Sequence, residues 1–279
     1  MQQNLVELER VAQDGTRVRA SAGASSFRRE ATLTALMLQA REHLAAVTRE
    51  AADPSLGARR AAARKRGAED RLARIEAATK KRRGAKDATV RVSTTDPDAR
   101  VMKMGAGGFR PAFNVQFATT TDAARVIVGV SLDNRGSDAG QSMPMLEQIE
   151  ERTGVRPDQL LVDGGYAQHE SIDQAAQKNV VLYAPVPKPR KGSKDEGRDP
   201  YARREGDSEA VADWRARMAT DEAKEIYKQR AATAETINAD AKEHRGFDQF
   251  AVRGVDKVLG SALLVALTYD VLRFITLAT

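Results

Sequence analysis

Apolar positions along the chain change period partway through. Leu33, Leu36, Met37, Ala40, Leu44 and Val47 recur at three- and four-residue spacings, which predicts a helix over Phe27–Glu50. Asp53-Pro54-Ser55-Leu56-Gly57 breaks it, and an Ala/Arg/Lys-rich helix resumes over Ala58–Arg83. A short strand over Arg10–Ala20 precedes this hairpin, with Asp14 beside a Gly-Thr turn signal. From Ala88 onward the texture is that of strands. Phe113–Thr120 and Arg125–Leu132 are β-branched and aromatic, and Gln159–Gly165 and Val180–Val186 are short apolar runs. Helices over Met145–Thr153 and Gln168–Gln177 separate the later strands. Residues 187–206 are Pro-, Gly- and charge-rich and predict an exposed loop. A long helix follows over Asp207–Asn238, with Lys242 as its outer limit, then a strand or turn near Phe250–Val252 and an apolar helix over Val258–Leu277.

This order predicts an α/β fold. Five strands, the first three a meander and the last two joined through helices, describe an RNase H-like mixed sheet with flanking helices and an inserted basic helical hairpin. The expected divisions are 1–26 for the first strand of the core, 27–87 for the hairpin and 88–279 for the rest of the catalytic domain.

Charge sharpens the picture. Residues 58–86 hold twelve Lys/Arg against three Asp/Glu, a local +9 that exceeds the +6 of the whole chain. The positive field therefore sits on one segment, which fits nucleic acid better than an acidic metabolite. Arg59, Arg60, Arg64, Lys65 and Arg66 are the candidate backbone contacts; the competing reading is a solvated helix face. There is no cysteine, which excludes disulfides and thiolate chemistry and agrees with a cytoplasmic, nucleoid-associated location. His43, His169 and His244 are too scattered for a histidine metal site. Met1–Arg10 has no apolar leader, and Asp270 and Arg273 interrupt the C-terminal run. That run is therefore expected to be a buried core helix, and no membrane partner is expected. Gly105-Ala106-Gly107-Gly108 lacks the Lys-Ser/Thr of a phosphate loop and is read as a hinge.

Three acids stand out by context: Asp14 on the first strand, Asp163 at the end of the fourth, and Glu235 on the long helix. In an RNase H-like sheet the first and fourth strands can be neighbours, which would bring Asp14 and Asp163 to one edge. Converging carboxylates suit hard divalent cations. On an ideal helix Lys242 lies about 20° from Glu235 and Lys228 shares that face, while Arg230 falls about 140° round, towards flanking backbone or another element.

Six stretches carry a specific resemblance. They are QDGTRVRASA (Gln13–Ala22), STTDPDARVMK (Ser93–Lys103), GGFRPAFNVQFAT (Gly107–Thr119), GSDAGQSMPMLEQI (Gly136–Ile149), LLVDGGYA (Leu160–Ala167) and EAKEIYKQRAATAETINADAK (Glu222–Lys242). In this order they resemble the DDE transposases of bacterial insertion sequences, the group with a Y-R-E-K signature and a helical insertion after the first strand. The resemblance implies Asp14, Asp163 and Glu235 as catalytic and metal-holding acids, and Tyr227, Arg230, Glu235 and Lys242 as the signature. It also implies two Mg²⁺ ions, with Mn²⁺ able to substitute, double-stranded DNA as substrate and a homodimer on DNA. Cleavage at a transposon end and strand transfer would be the reaction. Such enzymes usually carry a helical region ahead of the first acid, so a chain with thirteen residues before Asp14 is expected to be N-terminally truncated. The family also often has Asn-Leu where this chain has Asp270-Val271.

Competing readings stand beside these. Asp14-Gly15 and Asp163-Gly164 match turn dipeptides, and Glu235 alone would be a solvent-facing helix residue. Asp96 and Asp98 are rivals for the first acid. Trp214 is read as a core anchor, with stacking on an unpaired base as its alternative. Tyr166 and His169 are further candidates to approach DNA. The alternatives for the whole chain are an inactive DNA-binding remnant of a transposase or another RNase H-like nuclease.

Overall fold

The computed structural model describes residues 6–51, 57–87, 89–192 and 196–278. Met1–Leu5, the expected helix break at Asp53–Leu56, the boundary residue Ala88, Ser193–Asp195 of the loop, and Thr279 lie outside the described residues. Two compact units divide the chain: Met1–Thr16 with Asn114–Asp248 and Leu259–Thr279, and Arg17–Phe113 with Gln249–Val258.

The first unit is built on a mixed sheet. Its strands are β1 (Arg10–Arg19) and the two long runs that the β-branched pattern predicts. Around them the chain forms β2 (Phe27–Arg28), β3 (Val92–Ser93), β4 (Arg100–Lys103), β5 (Phe109–Thr120), β6 (Ile127–Asp133), β7 (Gln159–Leu161) and β8 (Val181–Tyr183). β5 pairs antiparallel with β6, β1 pairs parallel with β7, and β7 parallel with β8, so the order across the unit is β6-β5-β1-β7-β8. Every residue of β5 from Pro111 to Thr120 is buried, as a central strand covered on both faces requires.

Helices α3 (Ser142–Thr153), α4 (His169–Gln177) and α5 (Glu209–Ala219) flank this sheet. Their apolar sides, with Ile149 of α3 and Trp214 of α5, meet Val11, Leu160, Leu161 and Leu182 of the sheet in one core. The second unit contains the helical hairpin α1 (Glu30–Glu50) and α2 (Ala58–Arg83), whose inner positions Leu33 and Ala78 pack with Val92. There β4 pairs antiparallel with the opening residues of β5, and β2 with β3; none of β2, β3 and β4 is expected from the sequence.

Two expectations and one competing reading need correction. The long helix over Asp207–Asn238 is broken. Thr220 leaves the helical region at ψ 150°, and its hydroxyl accepts the Ala223 N–H at 3.2 Å to start α6 (Asp221–Arg230). A π turn over Ala231–Glu235 then leads into α7 (Thr236–Arg245). Next, of the two readings of Asp14-Gly15 the strand holds and the competing turn falls, because β1 runs straight through it. A β-carbon on Gly15 would stand 2.4 Å from Gln116 Nε2 and 2.6 Å from Asp138 Oδ1, so the glycine admits crossing side chains.

The C-terminal helix α8 (Val255–Ala278) is the third correction, since only 17% of its most apolar stretch is buried. By length and composition it is apolar enough to cross a membrane. It docks through the small edge of Ala262 and Ala266, which turns Leu264, Leu267, Phe274 and Ile275 outwards. Asp270 accepts the Ile127 N–H at 2.8 Å, and Arg273 donates to the carbonyls of Ala123 and Ala124 at 2.7 and 2.9 Å. The two charged residues that interrupt the apolar run are therefore its anchors.

Candidate active site

Parallel pairing of β1 with β7 sets Arg10 opposite Gln159, Val11 opposite Leu160 and Ala12 opposite Leu161. Asp14 and Asp163 each stand two residues beyond the last of these pairs, so they lie at matching positions of adjacent chain segments. β7 stops at Leu161, so Asp163, expected to end the strand, lies just past it at the head of a turn, where its Oδ1 accepts the Gly165 N–H at 2.7 Å.

The helical segment completes the cluster. Arg230 Nη2 lies 2.7 Å from Asp14 Oδ1, and its Nη1 lies 2.7 Å from Glu235 Oε1. Asn238 Nδ2 donates to the other oxygen of Asp14 at 2.9 Å. Ideal helix phasing sends Arg230 well round from Glu235, which the structure corrects. In a π turn residues five apart stack one turn above another, so the bulge at Ala231–Glu235 brings the guanidinium and the carboxylate together. The same bulge ends the face shared by Lys228 and Glu235; Lys228 pairs instead with Glu225 at 2.5 Å. Lys242 follows Glu235 along ordinary helix and is half-buried.

Electrostatics bind the group into one system. Burial pushes the Asp14 carboxyl above its ordinary range; Arg230 and Asn238 pull it down, and Asp163 pushes it further up. Burial works against the Arg230 charge, but Asp14, Tyr227, Asp163 and Glu235 more than offset it, so the guanidinium is held charged. Tyr227 is half-buried on α6, its hydroxyl raised by burial and, among other neighbours, by Asp163, Glu235 and Asp14.

Beneath the acids lies a polar network absent from the sequence reading. Asp138 Oδ1 accepts from Asn114 Nδ2 at 2.6 Å and from Gln116 Nε2 at 2.8 Å. Gln116 Oε1 accepts from Gln13 Nε2 and from the Tyr166 hydroxyl. Asp138 stands in the quoted GSDAGQS stretch and Asn238 three residues after Glu235, but neither residue type signals its partner from sequence alone. Tyr166 is fully buried in this network, its hydroxyl raised by burial, and so does not approach DNA; His169 is exposed at the start of α4.

Trp214 is 1% exposed, and its Nε1–H donates to the Ala184 carbonyl at 3.1 Å. Of its two readings the core anchor is the one realised, and no exposed ring is left to stack on a base. Asp98 pairs with Lys81 and Asp96 is buried in the second unit, each with partners of its own. Arg59, Arg60, Arg64, Lys65 and Arg66 are all exposed on the first half of α2; Arg64 pairs with Glu50 at 2.9 Å and Lys65 reaches Glu69 at 3.9 Å.

Residues 190–275 match the family model of the transposase DDE domain. The match supports a DDE transposase, and with it a nuclease or transposase class of enzyme acting on DNA. It spans the helical segment with Tyr227, Arg230, Glu235 and Lys242, while Asp14 and Asp163 lie before it. No curated protein matches the chain, and no solved structure does.

A DDE transposase normally uses divalent metal. Among the described residues, no three His, Cys, Asp or Glu side chains converge closely enough to hold an ion as they stand. The donor chemistry fits all the same. Asp14 and Glu235 are turned on one shared cation, the Arg230 guanidinium, and every candidate ligand is a hard oxygen.

Proposed function

We propose that this chain is the catalytic core of a DDE transposase with an RNase H-like fold, cutting DNA at an insertion-sequence end and joining the freed 3′-hydroxyl to target DNA. The observation that carries this reading is Arg230, whose single guanidinium gathers Asp14 from the sheet and Glu235 from the helical segment. The strand order β6-β5-β1-β7-β8 and the match over residues 190–275 support it.

Asp14, Asp163 and Glu235 would hold two Mg²⁺ ions, or Mn²⁺ in their place. When bound there, such ions supply charge stabilisation for the leaving oxygen and acidify a water or 3′-hydroxyl. The chain's own residues do the rest. Asn238 fixes the orientation of Asp14, and Arg230 must yield its place between Asp14 and Glu235, which leaves a cation beside the scissile phosphate. Tyr227, Lys228 and Lys242 would line the path of the DNA strand, and Arg59, Arg60, Arg64, Lys65 and Arg66 would hold its backbone. A homodimer on DNA would place one such site at each end.

The test is strand transfer in Mn²⁺ with a pre-cleaved DNA end and a supercoiled plasmid, with Asp163→Ala as control. Joining by the wild type that vanishes in the variant supports the reading. If neither protein joins, despite cooperative melting and DNA binding, the chain binds DNA without cutting it. Faster degradation of RNA–DNA hybrids than joining of DNA ends would make it a different nuclease.

A further inference from the structure

Helix α8 leaves a broad apolar surface in water. Leu264, Leu267, Val271, Leu272, Phe274 and Ile275 are each between 47% and 65% exposed. Those fractions of ordinary side-chain areas amount to roughly 600 Å², the upper end of the roughly 300–600 Å² that the largest apolar patch of a typical monomer reaches. A standard interface takes roughly 800 Å² from each partner, about two-thirds of it apolar in homodimers. One face of α8 therefore supplies the apolar area that one half of a stable dimer needs.

Periodicity says what covers it. Gly260, Leu264, Leu267, Val271, Phe274 and Ala278 alternate spacings of four and three residues, the seam of a helix that packs lengthwise on another helix. At 1.5 Å per residue the seam runs about 27 Å. It is also complementary to its own reverse. Set antiparallel about the centre, Leu267 faces Val271, Leu264 faces Phe274, and the small Gly260 faces the small Ala278. A parallel pair would press Phe274 on Phe274 at one end and leave Gly260 against Gly260 at the other, which close packing disfavours. Lipid is the poorer occupant. The back of α8 is committed to protein, with Ala262 and Ala266 buried and Asp270 and Arg273 bonded to Ile127, Ala123 and Ala124. Crossing a bilayer would strip those charged side chains of their partners. A helix lying on a bilayer borders its apolar face with Lys and Arg, and beyond Lys257 the one basic residue of α8 is Arg273, turned to the sheet side.

We propose that the exposed face of α8 is a dimer interface, on which the seams of two copies of this chain pack antiparallel across a two-fold axis. The face shares no residue with the acid cluster, so the pair forms without DNA or metal. It stands whether or not the chain cuts DNA.

The experiment is sedimentation equilibrium of the full chain at micromolar concentrations, without DNA or metal. The wild type should sediment as a dimer. Leu267→Lys buries a charge on each side of the axis and should raise the dissociation constant about a hundredfold or more. Leu267 is exposed in the single chain, so this variant should keep a cooperative melt; should it fail to fold, Val271→Lys decides. The chain has no cysteine, so disulfide trapping reads the orientation. A mixture of Leu264→Cys and Phe274→Cys proteins should cross-link under mild oxidation, and neither should link to itself. A monomeric wild type, or a dimer that survives the lysine substitutions, overturns the proposal. Self-linking of either cysteine variant overturns the antiparallel packing. Flotation of the wild type with vesicles of phosphatidylcholine and phosphatidylglycerol, lost in Leu267→Lys, overturns it in favour of a lipid surface.

Discussion

Arg230 and Asp14 form an ion pair that is almost wholly out of water: Nη2 stands 2.7 Å from Oδ1, with side-chain exposures of 9% and 17%. The pair joins the first strand to a helix more than two hundred residues later in the chain, and a second arm of the same guanidinium reaches Glu235. Removing one partner of such a pair strands the other charge. Arg230→Ala is expected to lose about 3 kcal/mol of unfolding free energy in urea. With the guanidinium gone, Mn²⁺ should raise the melting temperature of the variant more than that of the wild type. A loss below about 1 kcal/mol would show that water already screens the pair.

Gly15 is the close-approach point of the polar network. A methyl there meets Gln116 Nε2, Asp138 Oδ1 and Asn114 Oδ1 at 2.4, 2.6 and 2.8 Å, and all three belong to one hydrogen-bonded set. Gly15→Ala should therefore cost about 1–3 kcal/mol through overpacking and displace Asp14. Strand transfer should fall by more than the stability loss alone explains. An Ala variant that joins DNA at the wild-type rate would show that the network yields freely.

For Trp214 the expected pattern is destabilisation without loss of binding. Trp214→Phe keeps most of the packing and removes the donor to Ala184, for about 1–2 kcal/mol; Trp214→Ala opens a cavity and costs about 3–5 kcal/mol. DNA affinity of the folded Phe variant should equal that of the wild type in a gel-shift titration. A specific loss of affinity at unchanged stability would return the ring to the DNA.

Asp270 links α8 to pH. Burial lifts its carboxyl from 3.8 to about 6, against the pull of the Ile127 amide. Between those values the folded chain holds a proton that the unfolded chain has released. The contribution of Asp270 to stability therefore falls as pH rises through that window and is level above about pH 6. Asp270→Asn keeps an oxygen for the Ile127 N–H and removes the titration. It should melt a few degrees above the wild type at pH 7, with the gap closing as pH falls from 6 towards 4. A gap independent of pH would mean that the carboxyl does not titrate there.

Much of the sheet was legible because strand-forming runs such as Phe113–Thr120 and Arg125–Leu132 announce themselves by residue type, and the structure forms β5 and β6 there. Asp14 and Asp163 were legible as a pair because their strands are neighbours in the order that the pattern of elements suggested. The failures share a cause. Periodicity assumes an unbroken period, so it missed the π turn that carries Glu235 back to Arg230. Thr220, followed by Asp221 and Glu222, was a readable helix-start signal that the apolar pattern overrode. Composition marked α8 as a core helix because it says how apolar a segment is but not which face is covered. Asp138 and Asn238 were out of reach, since a hydrogen-bond partner distant along the chain leaves no local mark.

The π turn gives the spacing of the helical segment slack at one place. Deleting one residue between Ala231 and Glu235 would let the helix close into ordinary α geometry, a gain in local regularity. The bulge absorbs the loss: Glu235, then four residues after Arg230, would still stack one turn beyond it, and Asn238 would keep its side of the helix. The same deletion at Thr236 or Ile237 meets ordinary helix, so everything after it would rotate by about 100° and retreat by about 1.5 Å, and Asn238 would swing away from Asp14. Circular dichroism would barely register that change, and net charge need not alter at all. A lesion there would loosen the site while leaving a protein that passes for healthy by bulk measurement.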